Sequence, residues 1–301
     1  MSSPLDAPVL PTAPAAPVRS PVLGPVVRGV LRSPQTLLGL TLVVVHVVLA
    51  LLAPLVAPFD PVTNDATSIL LGPGDGHLLG TDQLGRDILS RVLYGGRYSL
   101  PLAVVAAVVT VGIGTVLGCL AACHRGAFDE ILMRIVDAVL SVPSILALLV
   151  VVSMFGAGGP VIVLAAVVIY SPAVVRVLRA AALQVVPLDY VTAARARGEG
   201  TFAVIRREIL PNVVDVVFVE LAMRASFVLL LVSSLSFLGF GANPPTPDWG
   251  LMVSENRTLL AVLPWGTVGP IVALATLIIG FNLTADGLAK IRGVDRTLVG
   301  V

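Results

Sequence analysis

Residues 191–200, VTAARARGEG, place two arginines and a glutamate within ten positions of a chain in which only 12% of residues are charged. Arg206, Arg207 and Glu208 follow soon after. One interpretation of this concentration of charge is that the segment is a docking helix. The alternative is that these arginines only keep the segment on one side of a membrane.

A second pair of charges lies inside an apolar run. Glu220 and Arg224 are four positions apart, so on a helix they share a face and can form an ion pair. An ionisable residue within a membrane segment is costly and is a candidate for the transport path. A neutralised pair that only stabilises the helix is an equal alternative, and the sequence leaves both open.

Metal and hydrolytic chemistry have no matching pattern in this sequence. The three histidines, His46, His77 and His124, fall in separate parts of the chain, and neither H-E-x-x-H nor G-x-S-x-G occurs. A Walker A loop needs a lysine in G-x-x-x-x-G-K-[ST], but the single lysine, Lys290, lies between alanine and isoleucine. We therefore expect no catalytic, cofactor or metal site in this chain. If ATP drives the protein, another chain hydrolyses it.

The composition predicts that membrane-spanning helices position these residues. The mean hydropathy is +0.99 and 56% of residues are hydrophobic, well above the level of a water-soluble domain. Several apolar runs reach the length of about 20 residues that crosses a bilayer as a helix. We expect an all-α membrane protein with six transmembrane helices. The predicted spans are residues 36–57, 99–122, 131–154, 159–179, 212–239 and 266–285.

The distribution of arginine and lysine predicts the orientation of the spans. A cytoplasmic amino terminus places most basic residues in inner segments, as the positive-inside rule requires, and it also places the carboxyl terminus in the cytoplasm. The inner basic residues are then Arg19, Arg28, Arg32, Arg125, Arg134, Arg176, Arg179, Arg195, Arg197, Arg206, Arg207, Lys290, Arg292 and Arg296. The outer ones are Arg86, Arg91, Arg97 and Arg257. The net charge of +1 does not indicate a nucleic-acid partner.

This topology divides the chain into three parts. Residues 1–34 are predicted to be a disordered cytoplasmic tail, since the first part is rich in Pro, Ala and Ser. Residues 35–98 hold the first span and an external loop, in which 77–97 is expected to be an amphipathic segment on the outer face. Residues 99–301 hold a five-helix core with a cytoplasmic loop at about 187–211. The external loop carries aspartates that predict a solvated surface: Asp60, Asp65, Asp75, Asp82 and Asp87.

The cytoplasmic loop has the pattern of two short helices. Asp189 is the expected N-cap of an alanine-rich helix, and Gly198 is expected to end it. Thr201 is the expected cap of a second helix that reaches Pro211. An ordered helix with a glycine break favours a docking role, because a loop that only carried positive charge would have no need of one.

Four stretches of the sequence resemble one protein family. T-A-A-x-x-x-G-x9-E-x-L-P, from Thr192 to Pro211, resembles the EAA loop of ABC importer permeases, with Thr192 in place of its glutamate and Glu208 in place of its isoleucine. Residues 77–100, 234–252 and 281–288 resemble segments of the second, C-type, permease subunit of dipeptide, oligopeptide and nickel importers. The likeness covers nearly everything after residue 35. One departure is the apolar pair Leu231–Val232, where the family often carries Gly-Glu.

The resemblance implies a type I permease-like fold and a division of labour. The chain would form half of the translocation path of a peptide importer in the bacterial plasma (inner) membrane, beside a homologous permease. Two ATPase subunits would hold ATP and Mg²⁺, and an external solute-binding protein would deliver the substrate. The EAA loop would insert a coupling helix into the ATPase. The residues that the resemblance assigns to this coupling are Thr192, Ala193, Ala194, Arg195, Arg197, Gly198 and Pro211.

Three other functions are alternatives to that of a peptide importer. The same machine could import nickel or another small solute, and the subunit motifs do not separate these cases. An ion-coupled secondary transporter would be expected to show inverted repeats and buried carboxylates, and neither is found convincingly in the sequence. An intramembrane enzyme is disfavoured by the absence of the catalytic motifs above.

Overall fold

The structure is a computed structural model that describes residues 33–74, 76–156 and 158–292. The predicted tail at 1–34 lies outside the described residues except for its last two, and so does Asp75. The helices are α1 (Pro34–Val56), α2 (Ile88–Cys123), α3 (Ala127–Leu140), α4 (Ser144–Phe155), α5 (Gly159–Val185), α6 (Asp189–Ala196), α7 (Thr201–Val204), α8 (Leu210–Phe237), α9 (Trp249–Asn256) and α10 (Trp265–Arg292). A π-helical turn, Ile205–Ile209, joins α7 to α8, and a 3₁₀ turn, Arg257–Leu259, follows α9. No strand occurs among the described residues, which confirms the all-α fold.

Five helices of the described chain are long and apolar enough to cross a membrane, and α3 with α4 makes a sixth span if the bent pair is counted as one. The second span begins at Ile88 and not at 99, so the predicted division after residue 98 falls inside α2. Asp87 supplies the physical reason, since its side chain accepts a hydrogen bond from the Ser90 amide and caps the helix there.

The third span is not the continuous helix predicted at 131–154. α3 and α4 meet at an angle of 85° across residues 141–143. Pro143 causes the break because it has no N–H to donate and its ring clashes with the preceding turn. Ser141 satisfies part of the freed backbone by donating from its hydroxyl to the Ala138 carbonyl. α3 is fastened to α5 instead, by ion pairs from Asp137 to Arg176 and from Asp129 to Arg179.

The close contact between α2 and α5 organises the centre of the bundle. A Cβ added at Gly114 would lie 2.5 Å from the Val174 side chain, and one at Gly118 would lie 2.8 Å from the Val175 carbonyl oxygen. These glycines let two backbones approach, which is how membrane helices gain packing energy without a hydrophobic driving force. α1 packs on α10 in the same manner, since a Cβ at Gly39 would lie 2.6 Å from the Thr284 nitrogen.

Buried apolar side chains form two clusters. The central cluster includes residues of α2, α4, α5, α8, α9 and α10, and the departing pair Leu231 and Val232 is part of it at 5% and 0% exposure. The second cluster, named here the loop-end cluster, joins the ends of α2, α5 and α8 to the short helices between α5 and α8. Its buried members are Val111, Cys119, Ala122, Val174, Leu178, Ala182, Val185, Val186, Val191, Ala194, Val204, Ile209 and Val213.

The opposite end of the bundle carries a compact cap made by residues 57–74, residues 76–87 and α9. Arg86 donates to Asp82 at 2.7 Å and to Glu255 at 3.0 Å, and Arg91 donates to Glu255 at 3.1 Å. The expectation of a solvated aspartate surface is therefore wrong for Asp82 and Asp87, which are 2% exposed. Asp82 is satisfied by Arg86 and by backbone amides, while Asp87 contacts His77 Nδ1 at 2.8 Å and accepts from the Ser90 amide, and sequence spacing alone does not reveal these partners.

α9 is fixed to the first part of α2. Asp248 caps α9 by accepting from the Leu251 amide at 3.0 Å, and its other oxygen accepts from the Ser99 hydroxyl at 2.7 Å. Trp249 donates its indole N–H to the Val92 carbonyl at 2.8 Å. The predicted amphipathic segment at 77–97 is therefore a folded loop followed by the first turns of α2.

Candidate coupling loop and intramembrane ion pair

α6 begins one residue earlier than an N-cap at Asp189 predicts. Its N-cap is Leu188, and Asp189 is the first helical residue and makes no side-chain cap. Asp189 nevertheless lies in the first turn, where a negative charge is favourable to the helix dipole. Thr192 is consequently the fourth helical residue, where a glutamate would not complete a capping box.

The end of α6 matches the expectation for Gly198. Its φ is +83°, a region that favours glycine. The Gly198 amide donates to the Arg195 carbonyl at 2.9 Å and the Glu199 amide to the Ala194 carbonyl at 3.2 Å. These two bonds form a Schellman motif, which satisfies carbonyls that a helix end otherwise leaves free. A Cβ at Gly198 would meet nothing within 4 Å, so only the backbone conformation requires glycine within this chain.

α6 has an inner and an outer face. Val191 and Ala194 are fully buried in the loop-end cluster, so they bind the helix to the membrane bundle. Thr192, Ala193 and Ala196 are exposed and lie on the opposite side. Ala194 was predicted to be among the docking residues, but its side chain packs inside this chain. The exposed face consists of small side chains that allow another surface to approach closely.

Exposed arginines flank this small face. Arg195 and Arg197 are both exposed, and on a helical projection they fall on opposite sides of the outer face. Arg197 donates to Glu199 at 2.8 Å, and Arg207 lies 3.9 Å from the same carboxylate. Surface pairs of this kind contribute little to stability, so the charges stay available to a partner.

The second helix of the loop is short and runs into α8. Its N-cap is Gly200, so Thr201 is the first helical residue rather than the cap. Val204 and Ile209 are buried and hold α7 and the π-helical turn on the loop-end cluster. Pro211 follows the π-helical turn in the first turn of α8, where its missing N–H is tolerated.

Tyr190 of α6 packs against the loop-end cluster, so this helix is not free. Burial raises the pKa of Tyr190, and the nearby Glu208 carboxylate raises it further. Ala194 of α6 and Val204 of α7 share the loop-end cluster, so the two short helices of the loop form one unit.

The intramembrane pair forms as the spacing predicts. Arg224 Nε donates to Glu220 Oε2 at 2.9 Å, and the two residues are 8% and 4% exposed. The Arg224 guanidinium also lies over the Phe227 ring, 5.3 Å from its centroid. Both side chains are thus enclosed within this chain. This favours an ion pair that stabilises the helix over residues that line the transport path.

The structure also reveals residues that the sequence analysis did not single out. Phe202, in the first turn of α7, is 77% exposed although it is aromatic. Asp248 and Glu255 organise the cap, and neither stands out by spacing. In the sequence, each of these residues is only an isolated charged or aromatic side chain, and such side chains are common on any protein surface.

Together these features define a multi-pass helical membrane protein with a small, ordered two-helix loop at one end of its bundle. The chain belongs to the family of binding-protein-dependent transport system inner membrane components, whose model matches residues 114–292. The matched region begins within α2 and includes the loop of α6 and α7, the ion pair and α10. The interpretation as an ion-coupled secondary transporter is therefore set aside.

Similar transport proteins from bacteria match most of the chain. It is 36% identical over 258 residues to a dipeptide transport system permease protein of Haemophilus influenzae, covering 84% of this chain and 88% of that protein. It is 37% identical over 247 residues to a glutathione transport system permease protein of Pectobacterium atrosepticum, covering 82% of each. A glutathione transport system permease protein of Shigella dysenteriae is 36% identical over 257 residues. These relatives are transport permeases, and like them the chain is a multi-pass inner-membrane protein.

Proposed function

We propose that this chain is the permease subunit of an ATP-driven peptide importer and forms half of its translocation path beside a homologous permease. The observation that carries the proposal is the loop of α6 and α7. Two buried residues, Val191 and Ala194, anchor it to the bundle, while its outer face is small, exposed and flanked by arginines. Such a face serves a protein partner, because nothing within the described chain covers it.

The partner of this loop is an ATPase subunit, and the complex contains two of them. They hold ATP and Mg²⁺, since the sequence of this chain contains no Walker A lysine motif. Closure of the ATPases pushes on α6, which moves as a rigid body with the loop-end cluster. A solute-binding protein releases the substrate at the cap end, and both termini are cytoplasmic.

The substrates are short peptides. The named relatives transport a dipeptide and glutathione, and both of these molecules are peptides. We expect uptake of a labelled dipeptide or of glutathione to depend on this chain when the whole system is expressed. Uptake of nickel without peptide uptake would instead support the nickel alternative.

The coupling role is tested at Gly198. A valine there is strained at a φ of +83°, so the Schellman motif is lost and the outer face of α6 is misplaced. We expect Gly198→Val to insert at normal levels but to lose its ATPase on purification in detergent and to give no uptake.

Gly200→Val is the matched control, because Gly200 lies two residues away at a φ of −66° and a Cβ there meets nothing within 4 Å. We expect this variant to retain its ATPase. If Gly198→Val holds the ATPase and transports as the unmodified protein does, α6 is not a coupling helix.

A further inference from the structure

The most exposed aromatic side chain of the coupling loop is that of Phe202, at 77% exposure. It lies in α7, directly after the glycine-containing break that ends α6. α7 is ordered by contacts that do not involve this ring: Val204 is 1% exposed in the loop-end cluster, and the Thr201 hydroxyl lies 3.5 Å from His124 Nε2. The ring is thus held outward by a backbone fixed on its other side.

Helix geometry explains this direction. Residues two apart in a helix are separated by about 200° around the axis, so burial of Val204 turns Phe202 away from the bundle. Phe202 therefore does not belong to the hydrophobic core of this chain. A rigid aromatic ring on a fixed backbone loses little conformational entropy on binding, which makes it an effective anchor at a protein interface.

The charges around Phe202 indicate the chemistry of the surface that receives it. The segment from Arg195 to Arg207 contains four arginines and one glutamate, Glu199. The side chains of Arg197 and Arg207 are 61% and 71% exposed. Single exposed apolar residues are ordinary on a surface, but an exposed ring within a basic segment matches the common design of an interface, an apolar centre with a charged rim.

We infer that Phe202 is the apolar anchor of this loop, and that it enters a hydrophobic pocket on the ATPase subunit whose rim carries carboxylates for the surrounding arginines. This inference rests on the proposed function, since it takes the ATPase as the partner. It adds a second contact point on α7, so that the ATPase holds both helices of the loop rather than α6 alone.

A photo-crosslinker identifies the occupant directly. p-Benzoyl-phenylalanine replaces Phe202 in the complete complex, in native membranes, and the crosslinked product is identified by mass spectrometry. We expect the adduct to join this chain to the ATPase. The same probe at Phe155, which is 70% exposed at the far end of α4, is the matched control and should not capture the ATPase. An adduct at 202 with lipid or with the second permease would overturn the inference.

Side-chain truncation measures the contribution of the anchor. We expect Phe202→Ala to weaken binding of the purified ATPase to the permease, in detergent, by about tenfold or more, because aromatic anchors dominate such interfaces. Phe202→Leu should retain part of the affinity, and Phe155→Ala should retain all of it. Binding by the unmodified permease should weaken as the salt concentration rises, because the arginine contacts are screened.

The outcomes separate this inference from the proposed function. If the unmodified permease binds the ATPase and Phe202→Ala binds it equally well, the anchor is wrong while the coupling loop stands. If the unmodified permease binds no ATPase, both are wrong. Tight binding that does not respond to salt would contradict the acidic rim.

Discussion

At the scale of single residues, the ionisable groups in and near the bundle fall into two kinds. Glu220 and Arg224 are buried and paired within one helix. Glu130 and Arg134 have the same spacing on α3, but their side chains are 67% and 77% exposed. Loss of one partner should therefore destabilise the protein more in the buried pair than in the exposed pair, because only the buried pair would leave an uncompensated buried charge.

We expect Glu220→Gln to destabilise the protein by about 3 kcal/mol, because it leaves the Arg224 guanidinium without its carboxylate in an apolar surrounding. Replacing both residues with leucine should cost much less, since no unpaired charge remains. Arg134→Gln is the exposed control and should leave stability unchanged. Thermal unfolding in detergent measures all three. A single variant as stable as the parent, but unable to transport, would instead place Glu220 on the translocation path.

Asp248 gives a second prediction at this scale. Burial raises the pKa of its carboxyl group, while hydrogen bonds from the Leu251 amide and the Ser99 hydroxyl oppose that rise. A raised pKa in the folded state means that this group's contribution to stability falls as pH rises above the unfolded value. Asp248→Asn keeps an oxygen for the α9 cap and removes the charge, so we expect it to be at least as stable as the parent at neutral pH.

Asp248→Ala also removes the charge, but it leaves the cap unmade. We expect it to be less stable than Asp248→Asn by about 1 kcal/mol, the usual value of an N-cap. Thermal unfolding of the two variants over a range of pH tests this order. Equal stability of the two would mean that the cap contributes nothing.

At the scale of elements, close helix contacts hold α1 on α10. The Cβ that Gly39→Val introduces would lie 2.8 Å from the Gly280 carbonyl oxygen, and backbone atoms cannot move aside as a side chain can. We expect this variant to be destabilised by about 1–3 kcal/mol through overpacking. Gly112→Val, in α2, is the control, because its Cβ would meet nothing within 4 Å. If both variants melt at the same temperature, α1 is not held by this contact.

Some of these elements could be predicted from the sequence and others could not. Hydropathy alone placed the apolar helices, because a bilayer imposes both length and composition. The 85° bend was not predicted, although Pro143 was visible, because proline can kink a span or break it according to its neighbours. The inner position of Ala194 was missed as well. The sequence of a short alanine-rich helix does not show which face is buried, because that depends on the residues that pack around it.

At the scale of the whole molecule, the two ends of the bundle should lie on opposite sides of the membrane. We expect cysteine at Leu78 or Val262, which are 72% and 76% exposed at the cap end, to react with an impermeant reagent on intact cells. Cysteine at Arg197 should react only after permeabilisation. The parent for this test lacks Cys119 and Cys123. Labelling at 197 from outside would reverse the orientation.

One consequence of α2 reaches across the whole molecule. Its 36 residues extend for about 54 Å, well beyond a hydrocarbon core of about 30 Å. Near one end, the Val92 carbonyl accepts from the Trp249 indole of α9, and the other end packs in the cluster that anchors α6. A tilt of about 5° over that length displaces the far end by about 5 Å. Under the proposed function, a small rotation imposed at the loop of α6 and α7 would therefore become a displacement of about 5 Å at the cap.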